Sequence, residues 1–398
     1  MTDADPSTPD GTRSTDAPGA GETPRRSPLH ERHVAAGASF TDFAGWWMPV
    51  RYESDLAEHH AVRERAGLFD LSHMGEILVL GPQAAAALDH ALAGRLSAIE
   101  EGQAKYTLLL AESGGILDDL VVYRTGADRY LVIANAANRE LVAAELRERC
   151  GGFDCVVDDE SDDVALLALQ GPRAAEILRE VDGLQIPAGG ADGPGLDALR
   201  YYRTTTGDFR GHESLVARTG YTGEDGFELY LAPEAAPELW DALLETGAGA
   251  GLVPAGLAAR DTLRLEAGMP LYGHELGPDT LPEQAGLGRV PALATKGEFV
   301  GRAAVERGPA EGARVLVGLA AEGRRAARAG YPVLRDGAVV GEVTSGALSP
   351  TLGHPIAMAF VDPAVAEAGT ALELDVRGTE VPAVVVPLPF YRRPTSGE

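Results

Sequence analysis

The chain has 398 residues, 45% of them hydrophobic, with a formal net charge of −26 and a pI of about 4.7. That length supports a sizeable core spread over more than one domain, and the charge argues against general affinity for nucleic acid or an anionic membrane. Cys150 and Cys155 show neither metal-ligand spacing nor a disulfide framework, no leader pattern opens the chain, and no apolar run is long enough to cross a bilayer, so a cytoplasmic setting is expected. The basic residues are nearly all arginine, with Lys105 and Lys296 the two lysines, a skew that fits genomic base composition.

Residues 1–27 are Thr, Asp, Ser, Pro, Gly and Ala with almost nothing apolar, and read as a disordered tail. Ser27 and Pro28 open a short capped helix over Leu29 to Ala36. Phe40, Phe43, Trp46, Trp47, Met48 and Tyr52 then gather aromatics in a chain with 6% of them, which reads as a core anchor. Asp55 to Arg65 is an amphipathic helix whose neighbouring His59 and His60 do not share a face. In AGLFDLSHMGEILVLG, Phe69, Leu71 and Ile77 to Leu80 are strand, and Ser72 to Gly75 is an exposed turn whose lone His73 reads as structural. Pro82 to Ala93 is helical, and GQAKYTLLL is a strand carrying Tyr106.

GGILDDLVVY, Gly114 to Tyr123, is a strand with two adjacent carboxylates in its middle. Ile116, Leu120 and Val122 alternate onto one face with Asp118, and Leu117, Val121 and Tyr123 onto the other with Asp119. Both faces are apolar, as in a strand buried on both sides. A carboxylate there must find a partner, shift its pKa or contact something bound. Taken alone, the pair reads best as acids at a sheet edge or against structural arginines, and the pattern does not choose between the two. A turn at Gly126 to Arg129 completes a hairpin, and Asn135 is a polar stop after its second strand.

Leu141 to Arg149 is helical, a strand and helix flank Gly171-Pro172, Gly183 to Asp197 is a loop, and Tyr201-Tyr202 opens a strand. In SLVARTGYTGEDGFELYL, a glycine-punctuated loop at Thr219 to Gly223 separates two strands. Glu228, between Phe227 and Leu229, could hold the amidine-like edge of an aminopterin ring, or pair with a cross-strand arginine. No P-loop or dinucleotide fingerprint is present. Pro233 to Thr246 is helical. In AGLAARDTLRLEAGMPLYGHE, Arg260 and Arg264 fall one turn apart on a helix, with Asp261 and Glu266 available to answer at least one of them. The C-terminal segments ARVLVGLAA, YPVLRDGAVVGEVTS, IAMAFVD, ALELDVRG and TEVPAVVV are short alternating strands at barrel-like spacing.

The strings DFAGWWMPV, AGLFDLSHMGE, GGILDDLVVY, NAANRE, LALQGP, RTGYTGEDGFE, GLAARDTLRLEAGMPLYG and TSGALSPTLG, in this order over roughly Pro28 to Arg392, resemble the glycine cleavage system T protein family. The resemblance implies an α+β, three-domain cloverleaf fold around a central folate channel, with a C-terminal β-barrel. It suggests a folate-binding region of two interleaved α+β domains at 28–280 and a barrel domain at 281–398, the boundary falling in the run between Leu276 and Gly312. It makes Asp119 the essential carboxylate near the reactive folate nitrogens. Met74, Leu78, Tyr106, Asn135, Tyr202 and Tyr221 would line the folate pocket. Glu228 would be the pterin-binding acid and Arg260 the folate-binding arginine, with Tyr391 and Arg392 near the channel. The implied reaction passes a one-carbon unit from the aminomethyl-dihydrolipoyl arm of a small carrier, the H protein, to tetrahydrofolate, with no metal.

Two departures from the family pattern, at Ala93 to Ser97 and at Gly288 to Val290, bear on local packing and channel shape. Three other proteins share this fold. Iron–sulfur assembly factors carry a Lys-Gly-Cys signature, where this chain has Lys296-Gly297-Glu298. Demethylating dehydrogenases add a flavin domain for which this chain has neither room nor fingerprint. A stand-alone folate-dependent demethylase of a small methylated substrate is the strongest rival.

Overall fold

The computed structural model describes residues 23–189 and 194–394. Three strand assemblies organise it. A seven-stranded sheet runs in the order Leu184–Gln185, Thr204–Phe209, His212–Ala217, Gly226–Leu231, Ala165–Gln170, Ala66–Asp70 and Leu252–Pro254. A five-stranded sheet runs Gln103–Leu110, Ile116–Gly126, Arg129–Ala134, Gly75–Leu80 and Val156–Asp159, every ladder antiparallel. Six strands between Val315 and Val386 close into a barrel.

The two open sheets are interleaved in the chain. Ala66–Asp70 belongs to the first, the chain then crosses through Ser72 to Met74 into the second, and it returns at Ala165–Gln170. Each sheet has its own core on its outer face. Leu167, Leu169, Phe227 and Leu229 pack with Leu239, Trp240 and Leu243 of the helix Ala236–Gly247. Ile77, Val79, Leu120, Val122 and Val132 pack under the helices Ala84–Ala91 and Arg139–Cys150. The inner faces meet in a shared cluster of Phe69, Leu71, Tyr123, Leu131, Ile133, Tyr230 and Ala217, closed by Ala259 and Leu263 of the helix Leu257–Glu266.

The irregular segment after that helix is pressed onto the second sheet. Leu276, Ala285 and Phe299 pack on Leu108, Leu110 and Ile116. The approach is close: a Cβ at Gly115 would sit 1.7 Å from the Pro278 carbonyl oxygen, so this position requires glycine. The barrel joins through Leu265, Ala347, Ile356 and Met358.

Several expectations are corrected. The expected tail at 1–27 lies outside the described residues for 1–22, and its last residues are built into the fold. Arg25 bridges to Trp46, and Ser27 is buried and hydrogen-bonds Asp70. The expected loop at Gly183 to Asp197 has residues 190–193 outside the described range. The strand expected at Tyr201-Tyr202 begins at Thr204, because Tyr202 takes a left-handed φ of 62°. Its carbonyl accepts from Ala104 N–H at 2.9 Å and its N–H donates to the Arg218 carbonyl at 3.0 Å, which ties the two sheets together at that kink. The turn at Ser72 to Gly75 is not exposed: His73 is 1% exposed, because the crossing between sheets runs through the interior.

Candidate active site

The acidic pair lies in the second of five strands, so neither acid is at an edge, and no arginine pairs with either among the described residues. Amides take that place. Asp118 is fully buried and accepts from the Asn135 N–H at 3.0 Å, Asn135 Nδ2 at 2.8 Å and Asn138 Nδ2 at 2.7 Å. Asp119 is half-buried and accepts from Asn135 Nδ2 at 2.9 Å and the Tyr106 hydroxyl at 3.1 Å. One amide therefore bridges two carboxyls that strict alternation sends to opposite faces. The register explains how. Leu109 pairs with Asp118 but Leu110 with Ile116, so Leu117 is an extra residue that bends the strand at the pair. The partner strand also ends at Ala134, which frees Asn135 to turn in opposite Asp119.

Burial raises both carboxyls. Asp118, with the Asp119 charge beside it, is pushed up to about 7 against the pull of its amide donors. Burial also raises Asp119, and Tyr106, Asn135 and the field of Arg260 oppose that rise. All of Asp118's surroundings are protein, whereas Asp119 keeps acceptor capacity open.

Glu228 stands between Ala168 and Ala217 of the neighbouring strands, so the alternative of a cross-strand arginine is not realised. Its Oε2 accepts instead from three hydroxyls: Tyr123 at 3.0 Å, Tyr230 at 3.4 Å and Thr219. Tyr123 reaches it from the other sheet. Its Oε1 receives no hydrogen bond among the described residues. Glu228 shares a pocket with Phe69, Leu71, Gln170, Tyr221, Thr222 and Arg260.

Arg260 lies over the Tyr221 ring with Cζ 4.5 Å from the centroid, and its guanidinium makes no hydrogen bond or ion pair among the described residues. Burial lowers its pKa, with Tyr221 and Glu228 acting against that. Arg264, one turn on, is answered by Asp261, by Glu275 at 3.1 Å and by Ser345 Oγ at 2.7 Å. Glu266, expected as a possible answer to this arginine pair, binds Arg63 instead.

The remaining expected residues divide. Met74 and Tyr202 pack on the inner-face cluster, and Leu78 is buried on the strand Gly75–Leu80. Tyr106, Tyr202 and Tyr221 lie within the fields of Asp119 and of one another. Tyr391 sits under the Arg63 guanidinium, 4.1 Å from its ring, with its N–H on the Glu266 carbonyl at 2.8 Å. Arg392 is exposed and joins none of these groups; its neighbour Arg393 pairs with Asp225 at 3.5 Å. Sequence reasoning missed Tyr123, Thr219 and Tyr230 around Glu228, and Asn138 on Asp118. Tyr123 carried a usable signal, since it shares the face of Asp119 in the alternation.

A pocket on the seven-stranded sheet that brings the half-free Glu228 to an unanswered guanidinium over an aromatic ring, with the half-buried Asp119 in the field of that guanidinium, has the polar groups of a small-molecule enzyme site. The family model for the GCVT N-terminal domain matches residues 29–295, and that for the glycine cleavage T-protein C-terminal barrel domain matches residues 314–392. The chain belongs to the glycine cleavage T-protein family. It is 59% identical over 371 residues to an aminomethyltransferase of Cutibacterium acnes, covering 93% of this chain and 99% of that one. It is 56% identical over 375 residues to an aminomethyltransferase of Saccharopolyspora erythraea, covering 93% and 99%. The crystal structure of the glycine cleavage system aminomethyltransferase T from Bartonella henselae superposes with a TM-score of 0.83 at 38% identity, covering 93% of this chain and 98% of that one. Among the described residues, no helix is long and apolar enough to cross a membrane.

Proposed function

We propose that this chain is a tetrahydrofolate-dependent aminomethyltransferase. It takes the aminomethyl group on the dihydrolipoyl arm of the H protein and delivers its carbon to tetrahydrofolate. The products are 5,10-methylenetetrahydrofolate, ammonia and the reduced carrier. The carbon is bound to sulfur and nitrogen at the outset and to two folate nitrogens at the end. One C–N and one C–S bond break, two C–N bonds form, and no oxidant is required. The chain's task is to bring a weakly basic folate nitrogen to the electrophilic carbon, help ammonia leave and exclude water.

The observation that carries this reading is Asp119: half-buried, fixed by Tyr106 and Asn135, with acceptor capacity left open and in the field of the unpaired Arg260. Asp119 orients the attacking folate nitrogen, takes its proton and stabilises positive charge on the transferred carbon. Glu228 Oε1 accepts from the aminopterin edge while its Oε2 stays on the three hydroxyls. Met74, Leu78, Tyr106, Asn135, Tyr202 and Tyr221 wall the ring, Arg260 answers a negative or carbonyl group of the folate, and Tyr391 closes the far side. Arg392, exposed here, takes part only with the substrate in place. In this reading residues 28–280 form the folate-binding region and 281–398 the barrel domain.

The test is ammonia release from aminomethylated H protein, with and without tetrahydrofolate. Release that depends on folate and yields methylenetetrahydrofolate is expected. Asp119→Asn lowers that turnover by about 10²–10⁴-fold, in the range for loss of a general base. Asp118→Asn, which alters an enclosed and fully answered acid, has the smaller effect on turnover. Near-full activity of Asp119→Asn sinks the assigned role, and release indifferent to folate sinks the reaction.

A further inference from the structure

Glu76 is 0% exposed, and both of its carboxyl oxygens lack a hydrogen-bond partner among the described residues. Its backbone is fully engaged. The N–H donates to Ser161 Oγ at 2.7 Å, and the carbonyl accepts from Glu160 N–H at 2.9 Å. Its side-chain direction follows from the ladder. Glu76 stands directly opposite Ile133, and directly opposed residues share a face. Ile133 belongs to the inner-face cluster with Tyr123, Tyr230 and Met74. Strand alternation places Glu76 on the same face as Leu78, two residues on. The Glu76 side chain thus leaves the strand on the inner face, where Tyr123 and Tyr230 hold Glu228, between Met74 and Leu78, two residues expected to wall the pocket.

Such a group cannot stay charged cheaply. An enclosed carboxylate with no donor is strongly disfavoured, as an isolated buried ion is, and takes up a proton instead. The surroundings act mostly in the same direction. Burial is the largest influence and drives the carboxyl well above its usual range. Asp159, Asp162 and Glu228 add repulsion, and Arg139 alone pulls the other way. The Glu76 charge in turn helps to raise the Tyr230 hydroxyl of the neighbouring sheet, after burial, Glu228 and Tyr123. Arg139 is itself committed to Asp159 at 3.0 Å and Asp162 at 2.8 Å. A protonated carboxyl offers one donor and one acceptor on adjacent atoms, which complements the edge of a cyclic amide or amidine.

We infer that Glu76 is a further binding group of this pocket: its buried carboxyl, with no partner among the described residues, hydrogen-bonds the heteroaromatic ring held by Glu228. The inference rests on the folate reading given above. It assigns the two acids different duties. Glu228 is an acceptor, prepared by three hydroxyls that already donate to it. Glu76 is a donor and acceptor with no protein partner to release.

The experiment measures tetrahydrofolate affinity of the intact chain, anaerobically, from pH 6 to pH 9, for the parent, Glu76→Gln and Glu76→Leu, with thermal unfolding alongside. Glu76→Leu is expected to bind about 10-fold more weakly or worse, while unfolding at the same temperature or higher, because an unpartnered acid leaves an apolar seam. Glu76→Gln, a neutral donor and acceptor, is expected to stay within about threefold of the parent at neutral pH. As pH rises the parent loses affinity when Glu76 ionises, and the Gln variant lacks that loss. A purely structural acid would shift the unfolding temperature and leave affinity alone. Equal affinities of parent and Leu variant, or identical pH profiles of parent and Gln variant, overturn the inference. A parent that binds no tetrahydrofolate overturns the folate reading and this inference with it.

Discussion

The helix Leu257–Glu266 carries two charged assemblies, one buried and saturated and the other half-buried and open. At its C-terminal end, Glu266 accepts from Arg63 Nε at 3.0 Å and Nη2 at 2.8 Å, from Thr351 N–H at 3.0 Å and its hydroxyl at 2.7 Å, and from Ser349, with His59 Nε2 at 3.2 Å. Arg63 also donates to the Thr222 carbonyl at 2.7 Å and to Glu224 at 2.9 Å. Those contacts join the helix Asp55–Glu64, the glycine loop and a barrel loop at one point. Earlier on the same helix, Arg260 is answered by none of the described residues, and Glu228 and Asp119, which it feels or influences through charge, keep acceptor capacity open. Buried polar groups are ordinarily satisfied. The saturated assembly is a joint, complete within the protein, and the unsaturated one is the assembly that the proposed folate would complete.

The strongest way to break that distinction is to neutralise one member of each. Glu266→Gln strands the Arg63 charge and is expected to cost about 3–5 kcal/mol of folding stability, with folate affinity of the folded fraction within about threefold of the parent. Arg260→Leu is expected to do the reverse: an unfolding midpoint at or above the parent's, and folate affinity lower by about 10–100-fold, the loss of one charged hydrogen-bond group. Denaturant titration and folate binding on both variants decide it. Equal stability losses would show Arg260 to be part of the joint.

Acid sharpens the comparison next. Burial would raise the Glu266 carboxyl, but the hydrogen bonds from His59 and Ser349 and the Arg63 charge outweigh it and hold it at about 2. A folded pKa below the unfolded value near 4.5 stabilises the fold above that pH and ceases to do so as pH falls toward 2, a change of about 3 kcal/mol. Glu76 has the opposite sign. Its folded pKa is raised, so its contribution is fully present below the unfolded value and is lost as pH rises toward the folded one. Glu266→Gln is expected to flatten the acid limb of the stability curve, and Glu76→Leu to gain most over the parent at neutral and alkaline pH. Unfolding free energies between pH 3 and pH 8 check both. Parallel curves for parent and Glu266→Gln would rule out the joint as a source of acid sensitivity.

How far each assembly could be read from sequence follows from what local pattern encodes. GGILDDLVVY announced a buried strand holding two acids, because period-2 alternation survives in the string. The bulge at Leu117, which brings both acids to one amide, depends on register with a neighbouring strand and leaves no local mark. Asn135 was visible as a polar stop, yet its role follows from where its strand ends. Tyr123 looked like one more apolar strand residue, since its hydroxyl finds Glu228 across 105 positions of chain. Arg63 and Glu266 are 203 positions apart, and Glu266 looked like a neighbour for Arg260 and Arg264 on helical spacing alone. Turn-like residues at Ser72 to Gly75 suggested exposure, and the crossing between interleaved sheets buries them. Glu76 fell between the expected turn at Ser72 to Gly75 and the expected strand at Ile77 to Leu80, and its burial follows from the covering of both faces of its sheet, which no local pattern marks.

The smallest expected effect tests the acceptor side of the pocket. Tyr123→Phe removes one of the three hydroxyls on Glu228 Oε2 and leaves Thr219 and Tyr230 in place. The ring stays in the inner-face cluster, so packing is preserved, and the lost bond is about 1 kcal/mol with its geometry partly taken over by Thr219. The Tyr123 hydroxyl also lies 2.9 Å from the Thr219 hydroxyl, so the two oxygens converge side by side on Glu228 Oε2. A carboxylate with fewer donors is a stronger but less fixed acceptor. Folate affinity is therefore expected to fall only about threefold to fivefold, with turnover at saturating folate unchanged, because the hydroxyl serves binding and not the reacting carbon. Turnover falling in step with affinity would mean that the cradle around Glu228 also positions the reacting end of the ring against Asp119.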